Sequence, residues 1–393
     1  MTRDKVLQDV LDIQNNNILL ELPTGFGKTR LSIEKIKSYN IHNLLIVVNR
    51  LVHIENWKEE LTKWWSNSDI KIEFVTYASL HKKAGKYDAV IFDEAHHLSE
   101  RCRDLLKSFD IKYSILLSAT INRNLKYSLN HLFDNLYIYS KTLRDSIDNK
   151  ILPDPFVYFI KLELKSDFPT EAIYKNKASN KRLIECNYKE RWSFIKQKEY
   201  PVKIYCTEEQ YYSDLCSQID YWQRRYNNTH NIIAKRKYLR LCLDRLLWLS
   251  NKKTPIIKEL LKKLYNYRTL TFCNSINQTE KLGKYCINSK NKESKNNIKL
   301  FNDKKIKHIT ACNILNESMN LKDCKIGIYT NLNSSDTIVL QRAGRLLRHK
   351  EPIIIIFYYA NTREEELIDK MKQNYNKNLI KTVNSIDDIK ICR

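Results

Sequence analysis

Two short stretches near the N-terminus decide the fold, and they read Leu22-Pro23-Thr24-Gly25-Phe26-Gly27-Lys28-Thr29 and Asp93-Glu94-Ala95-His96. Gly25 and Gly27 allow successive backbone N–H groups to approach phosphate oxygens, and helix-forming sequence follows directly. The first stretch therefore predicts a phosphate-binding loop between a strand and a helix. It departs from the general GxxxxGK[ST] pattern at the first glycine, where Leu22 stands.

The residue types of both stretches suit hydrolysis of a nucleoside triphosphate such as ATP. We expect Lys28 to bind the β- and γ-phosphates, and the Thr29 hydroxyl to bind Mg²⁺. Asp93 and Glu94 follow the apolar run 89–92, so a strand end would bring them beside the loop. Asp93 is then the second Mg²⁺ residue, and Glu94 orients the attacking water. We also expect Thr24 to bind the nucleotide. His96 is expected to couple this site to the second domain.

Composition limits the class of protein. The 393 residues suffice for two domains, 42% of them are hydrophobic, and the net charge is +23. Such a field attracts nucleic acid, although an acidic protein or a membrane surface would respond to it too. The ten cysteines form no CxxC pair, which predicts a reducing, cytoplasmic setting. The compact, Lys- and Asn-rich chain suggests a bacterium or a phage-infected host as that setting. The longest apolar run, 353–359, is too short to span a bilayer, so no membrane partner is expected.

Apolar runs alternate with helical segments in two parts of the chain. The predicted strands are 18–20, 44–48, 72–75, 89–92 and 115–117 in the first part, and 270–272, 308–310, 326–329 and 353–357 in the second. Short apolar strands separated by helices are typical of a parallel sheet covered on both faces. The fold class is therefore α/β, with two parallel-sheet domains.

The segment between these parts is basic and mainly helical. Residues 161–268 hold 24 Lys and Arg against 12 Asp and Glu. Helical spacing places two apolar sets each on one face, Leu239, Leu243, Leu246 and Leu247, and Ile256, Leu260 and Leu264. Its many aromatic residues either pack these helices or form a nucleic-acid surface with the cations, and both readings stay open here.

The motifs in this order resemble those of superfamily 2 helicases and translocases. Ser118-Ala119-Thr120 resembles the third helicase motif, and Gln341-Arg342-Ala343-Gly344-Arg345-Leu346-Leu347-Arg348 the sixth. The resemblance implies two RecA-like domains at 1–146 and 268–393, with a linker and helical basic insertion at 147–267. It also implies that Arg345 and Arg348 are arginine fingers in the catalytic site and that Gln341 lies on the nucleotide side or against His96.

Weaker matches extend the resemblance. Gln8 stands at the position of the glutamine that contacts adenine in the family, and the alternative is an ordinary surface glutamine. Contacts with nucleic acid, or coupling to it, are implied for residues of several motifs; packing is the alternative for most of them. They are Arg50, Trp57, Thr76, Ser118, Thr120, Ser275 and Asn320. Asn320 replaces the usual aspartate of the fifth motif, as in Snf-type and phage branch-migration members.

The resemblance implies an ATP-dependent DNA helicase or translocase that uses Mg²⁺ and acts in replication, recombination or repair, with possible protein partners from those processes. DNA is preferred over RNA because the second motif reads DEAH and Asn320 leans toward double-strand translocases. An RNA helicase would share every catalytic residue, and a motor subunit of a restriction or remodelling complex is a further alternative.

Overall fold

The fold is described from a computed structural model. It describes residues 3–66, 69–83, 85–166, 207–312, 321, 323–332 and 349–391, and the backbone alone of 170–172, 190–193, 198–201 and 204–206. Within these ranges, no helix combines the length and the apolar character that crossing a bilayer requires.

The N-terminal part forms a six-stranded sheet in which every pairing is parallel. Its strands, in chain order, are β1 Asn17–Glu21, β2 Asn43–Val48, β3 Lys71–Thr76, β4 Gly85–Phe92, β5 Phe109–Ser118 and β6 Tyr137–Ser140. The helices are α1 Arg3–Leu11, α2 Lys28–Lys37, α3 Leu51–Trp64, α4 Glu100–Leu106, α5 Arg123–Leu132 and α6 Leu143–Asp148. Strand order is β3-β2-β4-β5-β1-β6, so β5 lies between β4 and β1.

Both faces of this sheet are covered, as the apolar strands require. Ile18, Leu20 and Ile46 face a core that includes Ile36 of α2 and Trp57 of α3. Alternate strand residues point into a second core, built with residues of α4 and α5. The five strands predicted from the sequence in this part are confirmed.

The chain then enters a second sheet before the helical segment. The elements are β7 Phe156–Leu162, β8 Thr170–Ala172, β9 Glu190–Ser193, β10 Lys198–Pro201, β11 Ile204–Cys206, α7 Glu208–Thr229 and α8 Ile232–Lys263. β8 pairs with β11 and β9 with β10, both antiparallel. α7 and α8 form an antiparallel hairpin, joined by His230 in the left-handed region (φ 48°) and Asn231.

The second sheet has seven strands, again paired in parallel. The remaining elements are β12 Thr269–Cys273, α9 Ile276–Leu282, β13 Cys286–Ile287, α10 Ser294–Asn302, β14 His308–Cys312, β15 Ile326–Tyr329, β16 Ile353–Tyr359, α11 Arg363–Lys372 and β17 Ile380–Val383. Strand order is β13-β14-β12-β15-β16-β7-β17. Val157, Phe272 and Ile354 face one core, and Tyr158, Ile328 and Phe357 face the other. The four strands predicted for this part are confirmed.

One expectation about the central segment is wrong. β7 lies in the range 147–267 that was assigned to linker and insertion, yet it pairs with both β16 and β17. Its pairing depends on strands about 200 residues later in the chain, which local pattern does not reveal. The helix predicted around Leu239 and Leu243 is present as part of α8, and both side chains are exposed there, at 52% and 53%. By contrast, Leu260 and Leu264 are buried against the second sheet.

A buried polar cluster joins α8 to the carboxyl edge of the second sheet. The Lys253 ammonium is fully buried and donates to both carboxylate oxygens of Glu364, at 2.5 and 2.7 Å, and to the carbonyls of Thr330 and Phe357. Burial lowers the pKa of Lys253, and the adjacent carboxylate of Glu364 opposes that shift. These four acceptors hold α8 in one position on the sheet.

The same edge carries a neutral hydrogen-bond network. The Gln278 side chain of α9 accepts from the hydroxyls of Ser250 and Thr330 and donates to the Ser250 carbonyl. The Asn331 amide donates to the Leu246 carbonyl at 2.8 Å. Because Thr330 and Asn331 directly follow β15, α8 is tied to the segment that leads toward the sixth motif.

Lys253→Met should destabilise the second domain by about 3–5 kcal/mol, because it leaves the Glu364 carboxylate buried without its cation. Urea unfolding followed by circular dichroism measures this effect. Lys258→Met is the control, because Lys258 is an exposed residue of the same helix. Equal unfolding midpoints for the two variants would show that the buried Glu364 carboxylate does not depend on Lys253.

Candidate active site

The phosphate-binding loop connects β1 to α2 and has the backbone that the two glycines predict. Gly25 and Gly27 have φ of 88° and 99°, in the left-handed region that other residues rarely adopt. Gly27 directly precedes α2 and supplies no side-chain cap, so the N–H groups of the first turn of α2 face the loop. The Lys28 ammonium donates to the Leu22 carbonyl at 2.9 Å and so lies back over the loop.

The loop fits a phosphate-bearing ligand. The Thr24 hydroxyl oxygen is buried and has no hydrogen-bond partner within the part of the chain that the structure describes. A buried hydroxyl of this kind costs free energy unless a ligand satisfies it. Thr24, Lys28 and the first turn of α2 supply donors of the kind that phosphate oxygens need, and Thr29 lies in that first turn.

The second motif begins where β4 ends, and its backbone is strained. Glu94 is 7% exposed and has φ of 52°, a left-handed conformation that costs a non-glycine residue free energy. Its carboxylate lies 3.4 Å from Nδ1 of His96, and the same nitrogen lies 3.2 Å from the Ser118 hydroxyl. The predicted residues Glu94, His96 and Ser118 are thus in direct contact.

Asp93 is held from α3 and from the turn that follows β3. The Trp57 indole N–H donates to the Asp93 carboxylate at 2.9 Å, and the Tyr77 hydroxyl donates to the Asp93 carbonyl at 2.9 Å. Burial, with added effects of the charges of Asp93 and Glu94, raises the pKa of Tyr77 well above its usual value, so Tyr77 stays a donor. Nδ1 of His53 lies 4.0 Å from the Asp93 carboxylate.

Trp57 is a buried residue that is bonded to the acidic motif. Its ring is 2% exposed, and its N–H is bound to Asp93. This burial favours the packing alternative for Trp57, because α3 turns the residue into the core between helix and sheet, where it positions the carboxylate. The sequence pattern of α3 shows that position 57 is apolar, but it does not show which carboxylate lies across from it.

The third motif connects to the phosphate loop and to Glu21. The Ser118 hydroxyl donates to the Thr120 carbonyl, and the Ser118 carbonyl accepts the Leu22 N–H at 2.9 Å. The buried Glu21 carboxylate accepts from the Ile121 N–H at 2.9 Å and from the Lys126 ammonium at 2.6 Å. Sequence reasoning missed Glu21; its signal is an acidic residue at the end of the apolar run 18–20.

The remaining predicted residues lie at separate places. Gln8 is exposed on α1 and its amide donates to Asp12, one turn later. Arg50 precedes α3, Thr76 ends β3, and the Ser275 hydroxyl caps α9 by accepting the Gln278 N–H at 3.1 Å. Four predicted residues lie outside the described residues, namely Asn320, Gln341, Arg345 and Arg348.

The described residues also suit a metal held largely by the nucleotide. Within them, no group of three or more His, Cys, Asp or Glu side chains is placed to hold a metal ion. Mg²⁺ bound to a nucleotide takes one or two protein ligands and completes its shell with phosphates and water. Asp93 and Thr29 match that requirement.

A parallel sheet with a phosphate loop after β1 and acidic residues after β4 defines a nucleotide-hydrolysing protein, and a second parallel sheet follows it in the chain. Residues 4–123 match the family model described as type III restriction enzyme, res subunit. Residues 252–350 match the helicase conserved C-terminal domain. The chain is a superfamily 2 helicase or translocase ATPase, and this family uses ATP.

Individual proteins agree with this assignment. The chain is 22% identical over 366 residues to the DNA 3'-5' translocase XPB2 of Sulfurisphaera tokodaii, covering 85% of this chain and 75% of that protein. Its fold is similar to the Pyrococcus furiosus Hef helicase domain, with a TM-score of 0.52, 12% identity and coverage of 94% of this chain and 97% of the other. Its fold is also similar to Dbp5 of S. cerevisiae bound to RNA and ADP BeF3, with a TM-score of 0.58, 11% identity and coverage of 98% of this chain and 90% of the other. The narrower DEAH and phage-type expectations stay predictions.

Trp57→Phe should raise the Mg²⁺ concentration needed for half-maximal ATP hydrolysis about tenfold, because a phenyl ring fills the site but cannot hold the Asp93 carboxylate. Mg²⁺-dependent binding of a non-hydrolysable ATP analogue should weaken in parallel. Trp64→Phe is the matched control, since the Trp64 indole donates to Glu60 of the same helix. An unchanged Mg²⁺ requirement in Trp57→Phe would show that the bond to Asp93 does not position a metal ligand.

Proposed function

We propose that this chain is an ATP-dependent DNA translocase or helicase, which couples hydrolysis to movement along DNA, or to remodelling of DNA, in replication, recombination or repair. The observation that carries this proposal is the series of contacts that runs from Lys28 through Leu22 and Ser118 to His96 and Glu94. It joins the phosphate loop, the acidic motif and the third motif into one unit. The similarity to a DNA translocase supports DNA as the nucleic acid along which this chain moves.

Each side chain has a definite task in this mechanism. Lys28 and the N–H groups of α2 bind the phosphates and neutralise charge that develops on them. Glu94 accepts a proton from the water whose oxygen attacks the γ-phosphorus, while the bond between that phosphorus and the leaving ADP oxygen breaks. Mg²⁺, held by Thr29 and Asp93, would supply positive charge at the β- and γ-phosphate oxygens. Gln8 is assigned to the adenine.

The second domain completes the site in this proposal. Arg345 and Arg348 would place guanidinium groups on the γ-phosphate, and Gln341 would lie beside them. Because cations from both domains then converge on one phosphate, ATP would draw the domains together and hydrolysis would release them. Arg50, Thr76, Ser275 and Asn320 are assigned to contacts with nucleic acid, which this cycle would move.

Coupling is assigned to the contact between the second and third motifs. His96 lies against both Glu94 and Ser118, so a change at the γ-phosphate can shift Ser118 and Thr120.

A cytoplasmic setting is part of the same proposal. It is supported by the seven cysteines whose side chains the structure describes, all of which are free thiols.

Lys28→Ala should lower kcat for ATP hydrolysis about a hundredfold or more, because the charge on the β- and γ-phosphates is no longer neutralised. Glu94→Gln should lower kcat as strongly but keep ATP binding. Lys37→Ala, at the exposed end of the same helix, should keep wild-type activity. Full ATPase activity in the Lys28 or Glu94 variant would refute the catalytic assignment.

The nucleic acid is identified by steady-state ATP hydrolysis measured alone and with single-stranded DNA, duplex DNA, a forked duplex and single-stranded RNA. We expect stimulation by DNA. Stimulation by RNA alone would replace DNA by RNA in the proposal. No stimulation by any of them would favour a motor subunit that needs a partner, in line with the restriction-enzyme subunit model matched by the first domain.

A further inference from the structure

The far end of the α7–α8 hairpin is a separate surface feature of the molecule. At about 1.5 Å per residue, the 32 residues of α8 span about 48 Å and the 22 residues of α7 about 33 Å. Leu215, Ile219 and Leu241 form a small core between the two helices. We call residues 221–241, which include the turn between the helices, the hairpin tip.

The hairpin tip is strongly and uniformly basic. It contains six cationic residues and no Asp or Glu. All six are exposed, and they are Arg224, Arg225, Lys235, Arg236, Lys237 and Arg240. A helix face that is merely solvated usually mixes both signs of charge, because like charges on neighbouring turns repel each other. The tip therefore has an electrostatic cost that a polyanionic ligand would relieve.

Aromatic rings hold several of these cations in place without burying them. Lys237 and Arg225 lie over the Trp222 ring, 4.4 and 5.2 Å from its centroid, and Lys235 lies 5.4 Å from the centroid of Tyr226. Each contact orders a long side chain before a ligand arrives, which lowers the entropy cost of binding. Trp222 also packs against the core between the two helices, so its ring both packs the hairpin and supports its cations.

The base of the hairpin is bonded to the second sheet. α8 continues without a break from the tip to Lys253, which is bonded to Glu364, Thr330 and Phe357. Asn331, just beyond β15, donates to the Leu246 carbonyl. A rotation of the second sheet would therefore carry the tip with it and would be amplified by the length of α8.

We propose that the hairpin tip is a nucleic-acid contact carried by the second domain, in which the exposed cations bind backbone phosphates. The inference rests on the proposed function and adds a contact outside the helicase motifs. Exposed Ile232 and Ile233 at the turn would also suit a protein partner, but the run of positive charge favours a phosphate backbone. A tip that moves with the second domain would advance along nucleic acid as that domain moves.

The test is a triple variant of the full chain, Arg224→Gln, Arg236→Gln and Arg240→Gln. These three residues are exposed, and none is among the cations that the described rings support, so folding should be retained. Binding to a fluorescein-labelled DNA duplex is measured by anisotropy over a series of salt concentrations. Kd should rise about tenfold or more. The negative slope of the logarithm of the binding constant against the logarithm of the salt concentration should become shallower by about 2 to 3, because each lost phosphate contact removes about 0.9 from its magnitude.

The control carries the same change of charge elsewhere, Lys258→Gln, Lys262→Gln and Lys299→Gln, at exposed positions of the second domain. It should keep the wild-type Kd and slope, and both variants should keep the ATPase rate measured without nucleic acid. A wild-type slope in the tip variant would overturn this inference alone and leave the surface to a protein partner. Failure of the wild-type chain to bind DNA or RNA would overturn the proposed function as well.

Discussion

The carboxyl edge of the first parallel sheet is the constraint on which the site depends. β4, β5 and β1 lie side by side in that order, and Glu21 pairs in register with Ser118 while Phe92 pairs with Leu116. The loops that follow these strands must therefore leave the sheet at one place. That single fact brings together a phosphate loop, two carboxylates and a serine that are far apart in the chain. Reordering these strands would separate the groups without changing one residue of any motif.

Polar groups at this edge are expensive to bury, and the fold satisfies them mutually. The Asp93 carboxylate has the Trp57 N–H, and Glu21 holds the turn after Ser118 through the Ile121 N–H. Glu94 keeps a left-handed backbone, which persists only where surrounding contacts impose it. In this half of the active site the side-chain rotamers are fixed before the nucleotide binds, so ordering them costs less free energy during the reaction.

The second domain uses an ion pair for a related purpose. A buried Lys–Glu pair contributes little net stability compared with apolar residues of the same shape, because both charges lose their hydration. Lys253 and Glu364 instead define one position for α8, since only one placement satisfies all the acceptors around the ammonium. The long hairpin is thereby given a fixed direction relative to the sheet, which apolar packing of Ile257 and Leu260 alone would specify less sharply.

The sequence by itself determined the fold class, nine of the strands and the phosphate-loop and acidic motifs, because apolar periodicity and glycine placement act over a few residues. It did not reveal β6, β7, β13 and β17, which are short or pair with strands far away in the chain. Only the tertiary structure decided that Trp57 contacts Asp93 and that Leu239 stays exposed while Leu260 is buried. The physical reason is the same in each case: a local pattern shows that a side chain is apolar or charged, but strand order and helix packing choose what lies across from it.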